Sequence, residues 1–198
     1  MISIKNLSNE VPFQIFNKKY NQAHEYGQKN IEVACISSFS ERNNEVNSRF
    51  VNIKYLIDKE FIFFSNYKSI KAEEFTQHSQ ISATFFWNEL NTQVRIKAHI
   101  EKTTVSFNQD HFLKRNKEKN ALSISSYQSQ KITSYDEVLN NYYKTLKGNN
   151  LTECPKYWGG YSFSPYYFEF WTGNKHRLNK REAYKKNDLK WDCFILQP

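Results

Sequence analysis

RFVNIKYLIDKEFIFFSNYKSIKAEEF, residues 49–75, decides the architecture because it passes from two runs of strand chemistry to helix chemistry in a short span. Arg49 to Leu56 and Glu60 to Ser65 are rich in β-branched and aromatic residues, several of them alternating, and read as strands. Ser69 to His78 (SIKAEEFTQH) favours a short helix. Upstream, Phe13, Phe16, Tyr20 and Ala23 recur at three- and four-residue spacing between Pro12 and about Gly27, which predicts an amphipathic helix with the proline in its first turn. Ile31 to Ser38, Ile81 to Trp87 and Gln93 to Lys102 add strands, and Phe107 to about Lys119 favours another helix. Ser134 with Glu137 forms a capping-box pattern ahead of Val138, Leu139, Tyr142, Tyr143 and Leu146, a helix that Gly148 ends. A polar loop over Asn149–Pro155 follows. The strands Tyr161–Phe163, Tyr167–Trp171, Arg181–Lys186 and Trp191–Leu196 come after it, the last two joined by a Lys-Asn-Asp turn. With no internal repeat and no low-complexity linker, the economical solution is mainly β: one antiparallel barrel with helices packed outside.

The 198 residues include 39% hydrophobic, 24% charged and 17% aromatic residues, a composition that is neither disordered nor collagenous. The longest apolar runs fall far short of a membrane helix and no signal segment opens the chain, so a soluble cytoplasmic protein with no membrane partner is expected. A net charge of +8 suggests an anionic partner. A nucleic-acid-binding barrel ranks low, since the aromatics fall at alternating strand positions that a core also requires. Cys35, Cys154 and Cys193 lack CxxC spacing and the five histidines form no HxxxH or HExxH pair, so neither a disulfide framework nor a metal site is expected. There is no nucleophile elbow, Walker loop or GxGxxG fingerprint, so any phosphate must be held by side chains. Arg49, Lys54 and Lys71 are candidates. His111, Arg115 and Lys119, spaced by four, would share one face of a continuous helix and gather three cationic groups.

The same 49–75 stretch resembles the flavin-binding core of the pyridoxamine 5′-phosphate oxidase family. Further matches follow in the family's order: FFWNELNTQVRI around Gln93, YQSQ at Tyr127–Gln130, WGGY at Trp158–Tyr161 and EFWTGNKHRL through Trp171 and Arg177. The resemblance runs from about Phe13 to Pro198 and implies a single-domain FMN-binding split β-barrel over residues 1–198. Residues 1–28 would be an N-terminal helical segment and 160–198 dimerisation-type strands, in a homodimer with two FMN molecules at its interface. It further implies that Arg49, with Phe50, Val51, Asn52, Ile53 and Lys54 beside it, Phe64, Ser65, Lys71, Gln93, Gln128, Ser129, Trp171 and Arg181 hold FMN, some from the other subunit. Lys54, His111, Arg115, Lys119, Arg177 and Asn179 would face the substrate. Lys54 and Arg115 would grip its phosphate ester, and Arg177 would orient its ring as the catalytic residue. Four positions depart from the family pattern: His111 replaces a tyrosine, Lys119 a serine, Asn179 a histidine and Ile70 a flavin-phosphate arginine.

The activity implied is an FMN-dependent oxidase converting pyridoxamine or pyridoxine 5′-phosphate to pyridoxal 5′-phosphate, with hydride passing to the flavin and oxygen becoming hydrogen peroxide. The alternatives are a divergent oxidase taking another anionic, reduced aromatic, as the phenazine-pathway relatives do, and a flavin-binding protein without turnover.

Overall fold

The computed structural model describes residues 1–148 and 150–198; residue 149, first of the expected polar loop, lies outside them. Among the described residues ten strands join in one sheet: β1 (Ser3–Lys5), β2 (Val33–Ser40), β3 (Glu45–Asn52), β4 (Tyr55–Ile57), β5 (Glu60–Asn66), β6 (Gln80–Trp87), β7 (Thr92–Lys102), β8 (Trp158–Thr172), β9 (Lys180–Asn187) and β10 (Lys190–Leu196). The helices are α1 (Val11–Glu25), α2 (Ile70–Gln77), α3 (Val105–Leu113), α4 (Lys117–Ser125) and α5 (Tyr135–Gly148). The order β1-β4-β5-β8-β7-β6-β2-β3 curls so that β3 comes back beside β5 without a hydrogen-bonded ladder between them. The barrel is therefore split along a β3/β5 seam.

Alternation sets the inside. Ala34 and Ile36 of β2, Ile81, Ala83 and Phe85 of β6, and Val94, Ile96 and Ala98 of β7 are buried while their neighbours face outward. The apolar stripe of α1 packs onto this core, with Phe16 edge-on to Phe61 and Phe85 and Phe13 edge-on to Phe168. Glu10, at the start of α1, accepts from Lys59 Nζ at 2.5 Å and from Trp191 Nε1 at 2.7 Å, fastening the helix to the β4–β5 turn and to β10.

Several expectations are corrected by the backbone. The N-terminal segment is not helical throughout, because Ser3–Lys5 forms β1, which pairs with β4 in parallel and makes the barrel not purely antiparallel. The run Arg49–Leu56 breaks between Asn52 and Tyr55, where Ile53 turns wholly into the core. The two runs on either side of Pro165 are one continuous β8. Proline has no N–H to give a ladder, and the β7/β8 register shifts at Lys97/Ala98, opposite Pro165, so a bulge absorbs it. Phe107–Lys119 is two helices, α3 and α4, parted at Lys114–Asn116. Asn116 starts the second by accepting from Lys119 N at 3.1 Å, and Asn120 ties the pair by donating to the Phe112 and Leu151 carbonyls.

Glycines at 159 and 160 let α3 lie close on β8. A Cβ at Gly159 would collide with the Tyr67 hydroxyl and the Asn108 amide, and one at Gly160 would sit 2.5 Å from Thr103 Oγ1. Asn108 uses that closeness, accepting from Gly160 N at 2.7 Å and from Thr103 Oγ1 at 2.6 Å.

Candidate functional site

A cavity of about 340 Å³ opens at the β3/β5 seam, walled by Phe50, Val51 and Asn52 on one side and by Phe64 and Ser65 on the other. Helices α2, α3 and α4 deliver Lys71, His111 and Lys119, and the α3–α4 link delivers Arg115. Lys54, Gln128 and Trp158 complete the lining, which contains no carboxylate among the described residues.

At one end of it, three donors converge on a single oxygen. Gln128 Oε1 accepts from Lys71 Nζ at 3.1 Å, Ser65 Oγ at 3.0 Å and the Asn66 backbone N–H at 3.4 Å. Lys71 also reaches Ser65 and Ser69 hydroxyl oxygens, each at 3.2 Å. Burial, with the nearby Arg49 charge, pushes its ammonium down to about 8. A desolvated cation from the first turn of α2, with a hydroxyl and a backbone N–H from the end of β5, all aimed at one oxygen, suit a phosphate oxygen. The donor set therefore fits the phosphate end of FMN, with Gln128 occupying the oxygen position.

The other end is cationic in a different way from the sequence expectation. His111, Arg115 and Lys119 do not share a helix face, because the helix breaks between them, yet the α3–α4 turn brings all three to one cavity. Arg115 lies over Trp158 at 4.4 Å and donates to Ser123 Oγ and to the Lys119 carbonyl, both at 3.0 Å. Burial lowers its guanidinium to about 10, still cationic at neutral pH. Lys54 is lowered by burial and, against the pull of Glu32, by Lys119 and Arg115. His111 is the correction: burial first, then Arg115, Lys54 and Lys114, push it down to about 4, so it is a neutral imidazole and not a third cation. Its ring stacks on Phe64 at 3.7 Å and its Nδ1 meets the Tyr55 hydroxyl at 2.8 Å.

Other expected positions are placed apart. Arg49 does not line the cavity: its Nη2 pairs with Glu74 at 2.9 Å and its Nη1 donates to Ser38. The fully buried Ile53 side chain belongs to the core. Gln93, Trp171 and Arg181 form one cross-strand row on β7, β8 and β9, separate from the cavity lining within this protomer. Arg181 is bound to the buried Glu169 at 2.8 Å and donates to the Gln197 carbonyl at 2.9 Å. Ser129, at φ 74°, lines a neighbouring surface hollow with Gln130 and Lys131. Arg177 is exposed, in a short turn where it and His176 both have positive φ, and Asn179 Oδ1 accepts from Asn174 N at 3.1 Å to hold that turn. Glu74, Tyr55 and Glu169 were missed. Glu74 alone carried a signal, since it falls on the apolar face of α2 with Ala72 and Phe75.

Residues 158–198 match the family model described as the pyridoxine 5′-phosphate oxidase C-terminal dimerisation region. Over 192 residues, the chain is 34% identical to pyridoxine/pyridoxamine 5′-phosphate oxidase 1 of Hydrogenovibrio crunogenus, covering 94% of this chain and 88% of the relative. The Colwellia psychrerythraea pyridoxine/pyridoxamine 5′-phosphate oxidase is 31% identical, with 96% and 88% covered. In fold, the chain is similar to PhzG of Burkholderia lata, solved with tetrahydrophenazine-1-carboxylic acid, at a TM-score of 0.88, 22% identity and 94% and 92% coverage. It is also similar to a pyridoxamine 5′-phosphate oxidase-related, FMN binding protein from Nostoc punctiforme, at a TM-score of 0.78, 10% identity and 95% and 98% coverage. The split barrel is thus shared with solved structures, and the identity over nearly the whole length makes the chain a member of the pyridoxine/pyridoxamine 5′-phosphate oxidase family of FMN-dependent oxidoreductases.

Proposed function

We propose that this chain is an oxidase of pyridoxamine or pyridoxine 5′-phosphate, working as a homodimer that binds FMN at the seam cavity. The observation that carries the reading is the pairing, in one cavity, of an oxygen-binding nest at Lys71, Ser65 and Asn66 with a second cationic group at Lys54, Arg115 and Lys119. Two phosphates, one from cofactor and one from substrate, match two such sites joined by the aromatic surface of Phe64 and Trp158.

Bound FMN supplies the hydride acceptor and, through oxygen, the route to hydrogen peroxide. The chain's own contribution is grip and orientation. Arg115, held by Trp158, Ser123 and the Lys119 carbonyl, offers its remaining N–H groups to a phosphate ester, with the Lys54 and Lys119 ammonium groups beside it. His111, neutral and locked between Phe64 and Tyr55, gives the ring edge a fixed, uncharged neighbour. Arg177, on its exposed turn, orients the substrate ring. The row Gln93, Trp171 and Arg181 lies outside the cavity of its own protomer, and a two-fold partner would bring it to the flavin.

A second reading, a family oxidase acting on another anionic reduced aromatic, is favoured by the neutral imidazole at His111 and by Asn179, which is spent on holding its own turn. Turnover of pyridoxamine and pyridoxine 5′-phosphates with peroxide detection decides between them. Protein that binds FMN stoichiometrically as a dimer yet gives no peroxide with either substrate refutes the first reading. If Asn179→His with His111→Tyr still leaves it at background, the second or a flavin carrier replaces it.

A further inference from the structure

Glu74 is an acid in a neighbourhood otherwise built to attract anions. It sits on α2 one turn after Lys71, is 1% exposed, and has every oxygen engaged. Its Oε2 accepts from Arg49 Nη2 at 2.9 Å and from the Ser38 hydroxyl, and its Oε1 accepts from Asn47 Nδ2 at 2.8 Å. Arg49 stands near enough to Lys71 to oppose its charge, so both belong to one electrostatic field, but only Arg49 is paired with a carboxylate among the described residues. Ile70, just before Lys71 and half exposed, adds no charge. Arg49, Lys71 and Glu74 together carry a formal +1, against the two negative charges of a phosphate monoester.

We propose that Glu74 sets the flavin affinity of this chain: it sequesters Arg49 in an internal ion pair and leaves Lys71 as the cation that meets a terminal phosphate, so the flavin is held loosely and exchanges. This rests on the FMN reading above. The pair is worth little to the ligand because its charges cancel, whereas an uncharged residue of the same shape would free the Arg49 charge to act on the phosphate while keeping a carbonyl for it to bond.

The test is titration of flavin-free protein with FMN and, separately, with riboflavin, followed by flavin fluorescence quenching. Glu74→Gln is expected to lower the FMN dissociation constant about tenfold and to leave that of riboflavin within about twofold. A merely structural role would move both flavins together. Arg49→Met alone is expected to weaken FMN more than about tenfold, because it strands the buried carboxylate, and Arg49→Met with Glu74→Gln to return it to within about threefold of the wild type. An FMN constant that is unchanged or raised in Glu74→Gln, or a double variant as weak as Arg49→Met, overturns the role of Glu74 while the FMN reading stands. A wild-type protein that fails to bind FMN overturns that reading, and this proposal with it.

Discussion

Replacing Lys71 with methionine should make the flavin-free protein more stable and the flavin site useless. Lys71 is 9% exposed and its ammonium is lowered from 10.5 to about 8 by burial and by Arg49, so at pH 7 keeping it charged costs the fold about 3 kcal/mol. Its hydrogen bonds to Ser65, Ser69 and Gln128 return part of that, leaving an expected net gain of about 1–2 kcal/mol for Lys71→Met. For a chain of this size that is a rise in Tm of roughly 3–6 °C. The pH dependence has a definite sign. Because the folded pKa lies below the unfolded one, the cost is complete below about pH 8 and fades between there and 10.5, so the advantage of the variant should shrink across that window. Flavin works against the variant: FMN should raise the wild-type Tm more than that of the variant, whose affinity is expected to be lower by roughly ten- to a hundredfold. Differential scanning fluorimetry from pH 6 to 10, with and without FMN, reads all of this. A flavin-free variant that melts below the wild type, or one that keeps wild-type FMN affinity, refutes the reasoning.

Arg115→Ala should raise KM for the phosphorylated substrate by roughly ten- to a hundredfold while flavin content stays constant, since Arg115 lines the cationic end and not the Lys71 nest; steady-state kinetics beside flavin absorbance checks it. Gly159→Ala should lower stability by about 2–3 kcal/mol in urea unfolding, because its Cβ meets the Tyr67 hydroxyl and the Asn108 amide that fix α3 to β8. His111, lowered to about 4, favours the folded state above pH 6.5 and loses that advantage as pH falls toward 4, so His111→Phe should narrow the acid-induced drop in Tm over that window. Light scattering of the FMN-loaded protein should give a dimer; a monomer with stoichiometric FMN would remove the shared-site reading.

Most of the barrel was legible in the sequence because burial follows alternation there. Ile81, Ala83, Phe85 and Val94, Ile96, Ala98 face inward in the structure as their period of two requires, and Phe13, Phe16, Tyr20 and Ala23 do so at helical spacing. What escaped depends on contacts between distant residues. Three residues of β1 are too few to show a period, and their pairing with β4 is non-local. The α3/α4 break comes from Asn116 and Asn120, polar residues whose capping bonds outweigh the continuing charge pattern of His111, Arg115 and Lys119. Ion pairs rearranged the site: Arg49 and Arg181 carry the expected charge, yet Glu74 and Glu169 hold them, 25 and 12 positions away.

Strand β8 has a consequence for how the molecule opens. Trp158–Phe163 pair with β5, Tyr167–Thr172 with β9, and from Tyr161 onward the strand also pairs with β7, so Tyr161–Phe163 and Tyr167–Thr172 are flanked on both sides and the three ladders run into one another. Native-state hydrogen exchange along Trp158–Thr172 should therefore proceed only when the entire barrel comes apart, with one common protection for the Trp158 end beside the anion cavity and the Trp171 end beside Gln93 and Arg181. The 158–198 region cannot act as a detachable module either: severed from β5 and β7 it would keep the β8–β9–β10 ladder but expose Phe163, Phe168 and Phe170 to water. Domain shuffling by evolution or by an engineer must carry the barrel along with it.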